Sequence, residues 1–169
     1  MTASEIGDLA ALPYRPCVGV MLVNAQGRVF VGKRIDNGAN EGGNDAWQMP
    51  QGGIDEGEDV HPAALRELHE ETGILPELVT IIAESREEHF YDLPLELLGK
   101  LWKGRYRGQR QRWLLLRFNG EDHQVDLNAH KHPEFLEWKW VEPELLPDLI
   151  VPFKKRVYRQ VVEEFRELI

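Results

Sequence analysis

Three glutamates within five positions constrain this chain more than any other feature. Glu67, Glu70 and Glu71 belong to the segment GGIDEGEDVHPAALRELHEETGI, residues 52–74. On a helix, positions i, i+3 and i+4 lie on one face, so these carboxylates would fall within an arc of about 100°. Like charges at this spacing repel each other. A divalent cation would offset the repulsion, and an all-oxygen ligand set favours Mg²⁺ or Mn²⁺.

The residues around the glutamates carry helix start and stop signals. Asp59 is a suitable N-cap, the helix is predicted to end near Thr72, and Gly73 follows as its C-terminal stop. Gly52 and Gly53 predict a tight turn with positive φ ahead of the helix. The apolar stripe expected to pack on a sheet consists of Ala64, Leu65 and Leu68.

The rest of the sequence mixes strand-like runs, loops and one further helix. Residues 36–45 are predicted to form a flexible loop, and an amphipathic helix from Phe153 onward closes the chain. Because there is no regular βαβ alternation, the pattern favours a mixed-sheet α/β or α+β sandwich. The predicted strands, of which the first two form a hairpin, cover residues 17–24, 28–34, 78–84, 87–93, 111–118 and 134–141.

A length of 169 residues suits one domain. We expect residues 1–13 to be a leader that can be flexible and residues 14–169 to form the single domain. Cys17 is the one cysteine, which excludes an intramolecular disulfide, and it is predicted to be a small buried hydrophobe. No apolar run approaches the roughly 18 residues of a membrane span, and no signal peptide is recognisable. We expect a cytoplasmic protein with no membrane partner.

The charge distribution bears on the substrate. A net charge of −9 argues against a nucleic-acid partner. Residues 100–117, however, carry seven of the 20 lysines and arginines and no acidic residue. A basic segment facing a metal-loaded acidic pocket suits a polyanionic substrate. The alternative is that these residues solvate an exposed hairpin.

The glutamate segment resembles the Nudix box, G-x5-E-x7-R-E-U-x-E-E-x-G-U, in which U is a bulky aliphatic residue. The alternative interpretation is an ordinary solvated acidic helix face. The resemblance implies an α/β fold, a Nudix-type α/β/α sandwich with a curved mixed sheet. Every position of the box matches without departure, at Gly52, Glu58, Arg66, Glu67, Leu68, Glu70, Glu71, Gly73 and Ile74.

This resemblance implies a role for each polar residue of the box. Glu67, Glu70 and Glu71 would be metal ligands, one of which can assist the nucleophilic water, and the carbonyl of Gly52 would complete the shell. Arg66 would orient Glu67. An i+1 neighbour points about 100° away on a helix, so the arginine side chain has to fold around. Glu58 is a weaker candidate as ligand or support.

Matches outside the box are similar to bacterial RNA 5′-pyrophosphohydrolases and to asymmetric diadenosine tetraphosphate hydrolases. They lie in residues 14–16, 47–53, 108–113, 133–140 and 154–158. The resemblance implies that Glu134 is a further acidic metal ligand or base; the alternative is an exposed glutamate at a strand entry. The residues expected to bind substrate are Arg15, Lys33, Arg34, Gln51, Val151, Phe153 and Lys154.

The aromatic residues allow two interpretations. Phe153 could contact a base or be the first core residue of the last helix. Trp138 and Trp140 alternate along a strand and so face one side, where we expect core packing, as we do for Trp113. Tyr106 stays open.

The leading hypothesis is Mg²⁺-dependent hydrolysis of a phosphoanhydride, converting RNA 5′-triphosphate ends to monophosphates in mRNA decay. Bound cations would neutralise phosphate charge and acidify a water. One alternative is hydrolysis of diadenosine tetraphosphate, and another is a non-catalytic nucleotide sensor, although the box retains every acidic residue. The long loop at 35–46 could reshape the leaving-group side of the pocket. We expect no DNA partner, and the sequence leaves the oligomeric state open.

Overall fold

A computed structural model of the protein describes residues 2–35 and 46–169, apart from the side chain of Ile6. The predicted flexible loop at 36–45 therefore lies outside the described residues. Its predicted effect on the pocket stays a prediction. Within these ranges, no helix has the length and apolar character needed to cross a bilayer.

In the described ranges the chain forms four α-helices and eight strands. The helices are α1 (Ala3–Ala10), α2 (Val60–Thr72), α3 (Leu146–Leu149) and α4 (Lys155–Phe165). The strands are β1 (Tyr14–Val23), β2 (Val29–Arg34), β3 (Trp47–Gln48), β4 (Gln51–Gly53), β5 (Val79–Glu84), β6 (His89–Asp92), β7 (Gly108–Phe118) and β8 (Phe135–Val141).

One mixed sheet joins all of these strands, in the order β3-β2-β1-β7-β5. Strand β1 runs parallel to β7, from the pair Tyr14 and Gly108 to the pair Val23 and Arg117. The other pairings are antiparallel: β4 adds to β1, β6 to β7, and β8 to β2. Strand β4, which contains the first glycine of the matched box, is therefore attached directly to the central strand β1.

Alternate side chains of the central strands enter two separate cores, as the two-residue period of a strand requires. Val18 and Val20 of β1 pack with Ala64 and Leu68 of α2 on one face. The other face of the sheet packs against α4. We call these two clusters the α2-side core and the α4-side core. The buried residues of the α4-side core include Met21, Trp113, Leu115, Val157, Val161 and Phe165. The predicted sandwich of helices around a mixed sheet is confirmed.

Several predictions about buried residues are also confirmed. Cys17 and Trp113 are almost completely buried. Trp138 stacks on Phe30 with ring centroids 5.4 Å apart, and Trp140 meets the same ring edge-on at 5.9 Å. Both tryptophans therefore pack on the α2-side core, as expected for residues that alternate along β8.

Part of the predicted N-terminal leader is helical. Thr2 and Glu5 form a reciprocal capping box at the start of α1, which satisfies two backbone N–H groups. Leu9 packs against the α4-side core, and Arg107 Nη1 donates a hydrogen bond of 2.8 Å to the carbonyl of Ala10. Helix α1 is thus tied to the residues that precede β7. The division into a leader and one domain from residue 14 stays a prediction.

Candidate active site

Helix α2 has the predicted ends. It begins after Asp59, whose side chain makes no capping hydrogen bond, and it ends at Thr72. Gly73 follows with φ 71°, a left-handed stop that glycine adopts without strain. One face of the helix packs on the sheet, and the neighbouring face carries the glutamates beside β4. This placement makes the glutamate segment the wall of a pocket.

Arg66 is the centre of a hydrogen-bond network. Its Nε and Nη2 donate to the two carboxylate oxygens of Glu58, each at 2.8 Å, and Nη2 also donates to the carbonyl of Gly53 at 2.9 Å. Nη1 reaches Glu67 at 2.9 Å and Glu70 at 3.2 Å. The side chain does fold around to its i+1 neighbour. Hydrogen bonding to Arg66 lowers the pKa of Glu58 to about 2, so Glu58 is a charged support for the arginine.

Glu67 lies against the backbone of β4. A Cβ on residue 52 would overlap the Glu67 carboxyl group, so only glycine at that position lets the carboxylate approach. The side chain is mostly buried. Burial, followed by the charge of Glu70, raises the pKa of Glu67 to about 7, although Arg66 opposes the shift. Without a cation, this carboxyl group is therefore poised to exchange a proton near neutral pH.

Glu71 is enclosed behind the pocket wall. Its Oε2 accepts a hydrogen bond from the backbone N–H of Gln51 at 3.2 Å, while its Oε1 is buried without a hydrogen-bond partner. Burial, followed by the charges of Glu134 and Glu67, raises the pKa of Glu71 well above its ordinary value. A buried carboxylate with an unsatisfied oxygen is costly, which makes Glu71 a group in need of a cation or a proton.

The predicted tight turn at Gly52 and Gly53 is wrong. Both glycines belong to β4 and pair with Val18 and Cys17 of β1, and neither has a positive φ. A side chain at either position would instead displace a neighbouring polar side chain. A Cβ on Gly52 would collide with Glu67, and one on Gly53 would lie 2.7 Å from Nη2 of Arg15.

A pocket of about 540 Å³ opens between this wall and two arginines, a volume within the usual range for small-molecule sites. Glu67, Glu70 and Glu134 line it, so the structure brings three of the four predicted carboxylates together. Arg15, Arg34, Gln51 and Gly52 also line it, as predicted for substrate and metal contacts. Acidic and basic groups therefore share one cavity, which suits a cation bound together with phosphate.

Four residues predicted to bind substrate lie elsewhere. Val151 and Lys154 are buried, at 2% and 3% exposure. Phe153 packs at the edge of the α4-side core and contacts the Tyr91 ring, with centroids 5.5 Å apart. Lys33 lies 3.8 Å from Glu137. In this conformation none of the four lines the pocket that the described residues form, and their predicted role in substrate binding stays a prediction.

Other residues of the pocket were not predicted from the sequence. They are Ile35, Leu101, Trp102, Gln109 and Pro133. Gln109 stands in a matched motif, so its position carried a signal. Trp102 carried none, because the turn that places it at the pocket is irregular.

The chemistry of the donor groups fits a hard divalent cation. The carboxylates and the Gly52 carbonyl supply only oxygen, and Glu71 Oε1 has no partner. Their present positions form no ready-made site: within residues 2–35 and 46–169, no three carboxylate, imidazole or thiol groups are arranged to hold one ion. Arg66 engages Glu67 and Glu70, and Glu71 faces Gln51. Metal binding therefore requires these side chains to reorient.

The sandwich, with α2 and β4 forming a carboxylate-lined pocket, can be compared with known protein families. The NUDIX domain family matches residues 13–161. The chain therefore belongs to the Nudix family, and the resemblance found in the box is confirmed.

Whole-sequence relatives are more specific. The chain is 75% identical over 160 residues to the RNA pyrophosphohydrolase of Novosphingobium aromaticivorans, covering 95% of this chain and 97% of that protein. It is 60% identical over 162 residues to the RNA pyrophosphohydrolase of Sphingopyxis alaskensis, covering 96% and 99%. The dihydroneopterin triphosphate pyrophosphohydrolase of E. coli shares the fold, with a TM-score of 0.67, 24% identity, and coverage of 90% and 97%.

Proposed function

We propose that the protein is a Mg²⁺-dependent Nudix hydrolase that converts the 5′-triphosphate end of RNA to a 5′-monophosphate. The names of the relatives at 75% and 60% identity support the RNA substrate. Mn²⁺ is a possible substitute, because the oxygen-only donor set suits either ion. The proposal extends to a cytoplasmic role in mRNA decay, which the decay rate of a triphosphorylated transcript in cells lacking the protein would test.

One observation carries this proposal. The same pocket is lined by Glu67, Glu70 and Glu134 and by the guanidinium groups of Arg15 and Arg34. A polyphosphate needs cations around its oxygens, and carboxylates can supply them only through a bound metal. The arginines bind phosphate directly, in a planar geometry that suits two oxygens at once.

The metal, held by Glu67, Glu70, Glu71, Glu134 and the Gly52 carbonyl, would supply charge neutralisation and an acidified water. The chain's own residues do the positioning. Glu58 and the Gly53 carbonyl hold Arg66 in place, and Arg66 holds Glu67 and Glu70 toward the pocket. These hydrogen bonds keep the two carboxylates at the pocket, from where they reorient when the metal binds.

A side-by-side turnover assay tests the proposal. Triphosphorylated RNA and diadenosine tetraphosphate are offered separately to the same preparation with millimolar Mg²⁺. We expect faster conversion of RNA, release of pyrophosphate or phosphate, and complete loss of activity in excess chelator. Faster conversion of diadenosine tetraphosphate would identify that dinucleotide as the substrate in place of RNA. Binding without turnover of either would make the protein a nucleotide sensor.

A further inference from the structure

The segment Leu101–Gly104 has an unusual backbone conformation. Two of its residues, Leu101 and Trp102, line the pocket away from the acidic helix. Trp102 has φ 52° and ψ 39°, and Lys103 has φ 59° and ψ 26°. Residues with bulky side chains rarely adopt this left-handed conformation, because Cβ crowds the neighbouring carbonyl oxygen. Such strain persists only where the surroundings hold it, and it gathers at ligand-binding sites.

The neighbours of this turn hold it in place. Gly99 and Gly104 also have positive φ, of 84° and 73°. A Cβ on Gly104 would lie 2.7 Å from the Gly99 carbonyl oxygen, and one on Gly99 would lie 3.3 Å from Leu9 of α1. Tyr106 meets Trp102 edge-on, with ring centroids 6.2 Å apart. Glycines and packing contacts on both sides thus fix where the indole lies.

The indole lies beside the arginine expected to bind phosphate. Trp102 is half-buried and lines the pocket together with Arg15. The guanidinium carbon of Arg15 is 5.6 Å from the centroid of the Trp102 ring. On its other side, Arg15 approaches Gly53 at the end of β4. A substrate phosphate held by Arg15 would therefore bring its nucleoside within reach of the indole.

The basic residues near the turn divide into two groups. The arginines at 107, 110 and 112 form ion pairs with carboxylates, which agrees with a solvating role. Three other cations are exposed and make no ion pair with any residue that the structure describes: Lys100, Lys103 and Arg105. These three flank Trp102 in the chain, where they can meet the phosphates of a strand whose base contacts the indole.

Core packing alone does not explain the left-handed backbone at Trp102. Trp102 does touch the edge of the α4-side core, but an apolar role would be met by any backbone conformation that buries the ring. The left-handed turn instead leaves part of the indole open to the pocket. An aromatic face beside a cation is the combination that binds single-stranded nucleic acid without regard to base identity.

We propose that Trp102 is a stacking platform for a nucleobase of the substrate, next to the phosphate site at Arg15. This inference rests on the proposed function, since it assumes a polyphosphate joined to a nucleoside. It assigns the base to the wall formed by residues 101–104, a different place from the patch at 151–154 that the sequence comparison favoured.

Ligand pairs with and without a base test this directly. The affinities of β,γ-imido ATP and inorganic tripolyphosphate are measured by calorimetry for the wild type, Trp102→Ala and Trp102→Phe. Because Trp102→Ala removes one base-stacking contact, we expect it to weaken binding of the nucleotide by about 10- to 100-fold. Binding of tripolyphosphate should be unchanged. Trp102→Phe should restore most of the affinity. An equal loss for both ligands would show that Trp102 only positions Arg15, and no loss for either would also overturn the proposal.

Fluorescence gives a second readout that does not depend on how well the alanine variant folds. Nucleotide binding should quench part of the tryptophan emission in the wild type, and that part should be missing in Trp102→Phe. Trp138→Phe is the matched control, because its ring stacks on Phe30 outside the pocket. Equal quenching in the wild type and Trp102→Phe would contradict the stacking platform.

RNA turnover then separates the two proposals. If wild-type protein hydrolyses triphosphorylated RNA, Trp102→Ala should raise KM by about 10- to 100-fold with little change in kcat. If the wild type does not hydrolyse RNA, the proposed function fails, while the comparison of imido ATP with tripolyphosphate still decides whether Trp102 contacts a base. Melting temperatures of all variants exclude unfolding as the cause.

Discussion

The two walls of the pocket are built by opposite means. The acidic wall consists of the regular helix α2 and the short strand β4. Hydrogen bonds from Arg66 join the side chains of this wall into one network. The wall at residues 101–104 is an irregular left-handed turn held by glycines and packing. The first wall tolerates little change in charge, whereas the second depends on shape. Substitutions that affect one property and not the other test this distinction.

The largest effect is expected from removing a charge on the acidic wall. Glu70→Gln or Glu71→Gln replaces a hard-cation ligand by a poor one of the same shape. We expect turnover to fall at least about 100-fold, roughly 2.7 kcal/mol of barrier. Glu71→Gln should also raise the melting temperature of the metal-free protein, because it removes a buried charge with an unpartnered oxygen.

The exposed Glu77 gives a matched control, and Glu77→Gln should leave both turnover and melting temperature unchanged. Near-normal turnover in Glu70→Gln or Glu71→Gln would remove that residue from the site.

A change of shape on the acidic wall should have the next largest effect. In Gly52→Ala the new methyl group overlaps the Glu67 carboxyl group, so Glu67 has to move. Because a displacement of about 1 Å at a catalytic group can cost about 100-fold, we expect kcat to fall by about 10- to 100-fold. Steady-state kinetics checks this. Gly7→Ala is the control, since nothing lies within 4 Å of its new Cβ, and a wild-type kcat in Gly52→Ala would refute the close-approach argument.

Phe153 distinguishes core packing from base contact. The ring packs at the core edge against Tyr91 and lies outside the pocket lining. Phe153→Ala should therefore reduce the free energy of unfolding by about 2 kcal/mol, below the range for fully buried phenylalanine because the ring is partly exposed. Turnover of RNA and of diadenosine tetraphosphate should change in parallel. A selective loss on RNA with unchanged stability would place the base at residues 151–154 after all.

The last prediction concerns pH and metal. The folded-state pKa of Glu67, about 7, lies above its ordinary 4.5, so the folded protein binds a proton that the unfolded chain has released. Metal-free stability should therefore fall as pH rises from about 4.5 through about 7. Millimolar Mg²⁺ binds only the folded state and should raise the melting temperature, more at pH 8 than at pH 5. Glu67→Gln should make the metal-free profile less steep, with the remaining slope coming from Glu71, whose pKa burial also raises. A flat profile in the wild type would contradict this account.

The regular parts of the molecule could be predicted because their periodicity is visible in the sequence. Helix α2 begins and ends where Asp59 and Gly73 indicate. Six of the eight strands lie within a few residues of their predicted positions, whereas β3 was not predicted and β4 was predicted as a turn. The convergence of Glu134 and Arg15 on the pocket followed only from the family resemblance, since it depends on strand order. The role of Gly52 was misjudged because its constraint is a tertiary contact with Glu67 rather than a local φ. Trp102 was missed because a left-handed turn leaves no pattern.

The parallel pairing of β1 and β7 has a consequence for how the protein is made. Tyr14 pairs with Gly108 and Val23 with Arg117, so the central seam of the sheet joins segments nearly a hundred residues apart. Such long-range contacts close slowly, because chain entropy is lost before they form. A nascent chain that already contains α2 and β4 still lacks β7, one of the two long central strands. We therefore expect the sheet beneath the glutamate helix to remain incomplete until residue 118 has left the ribosome.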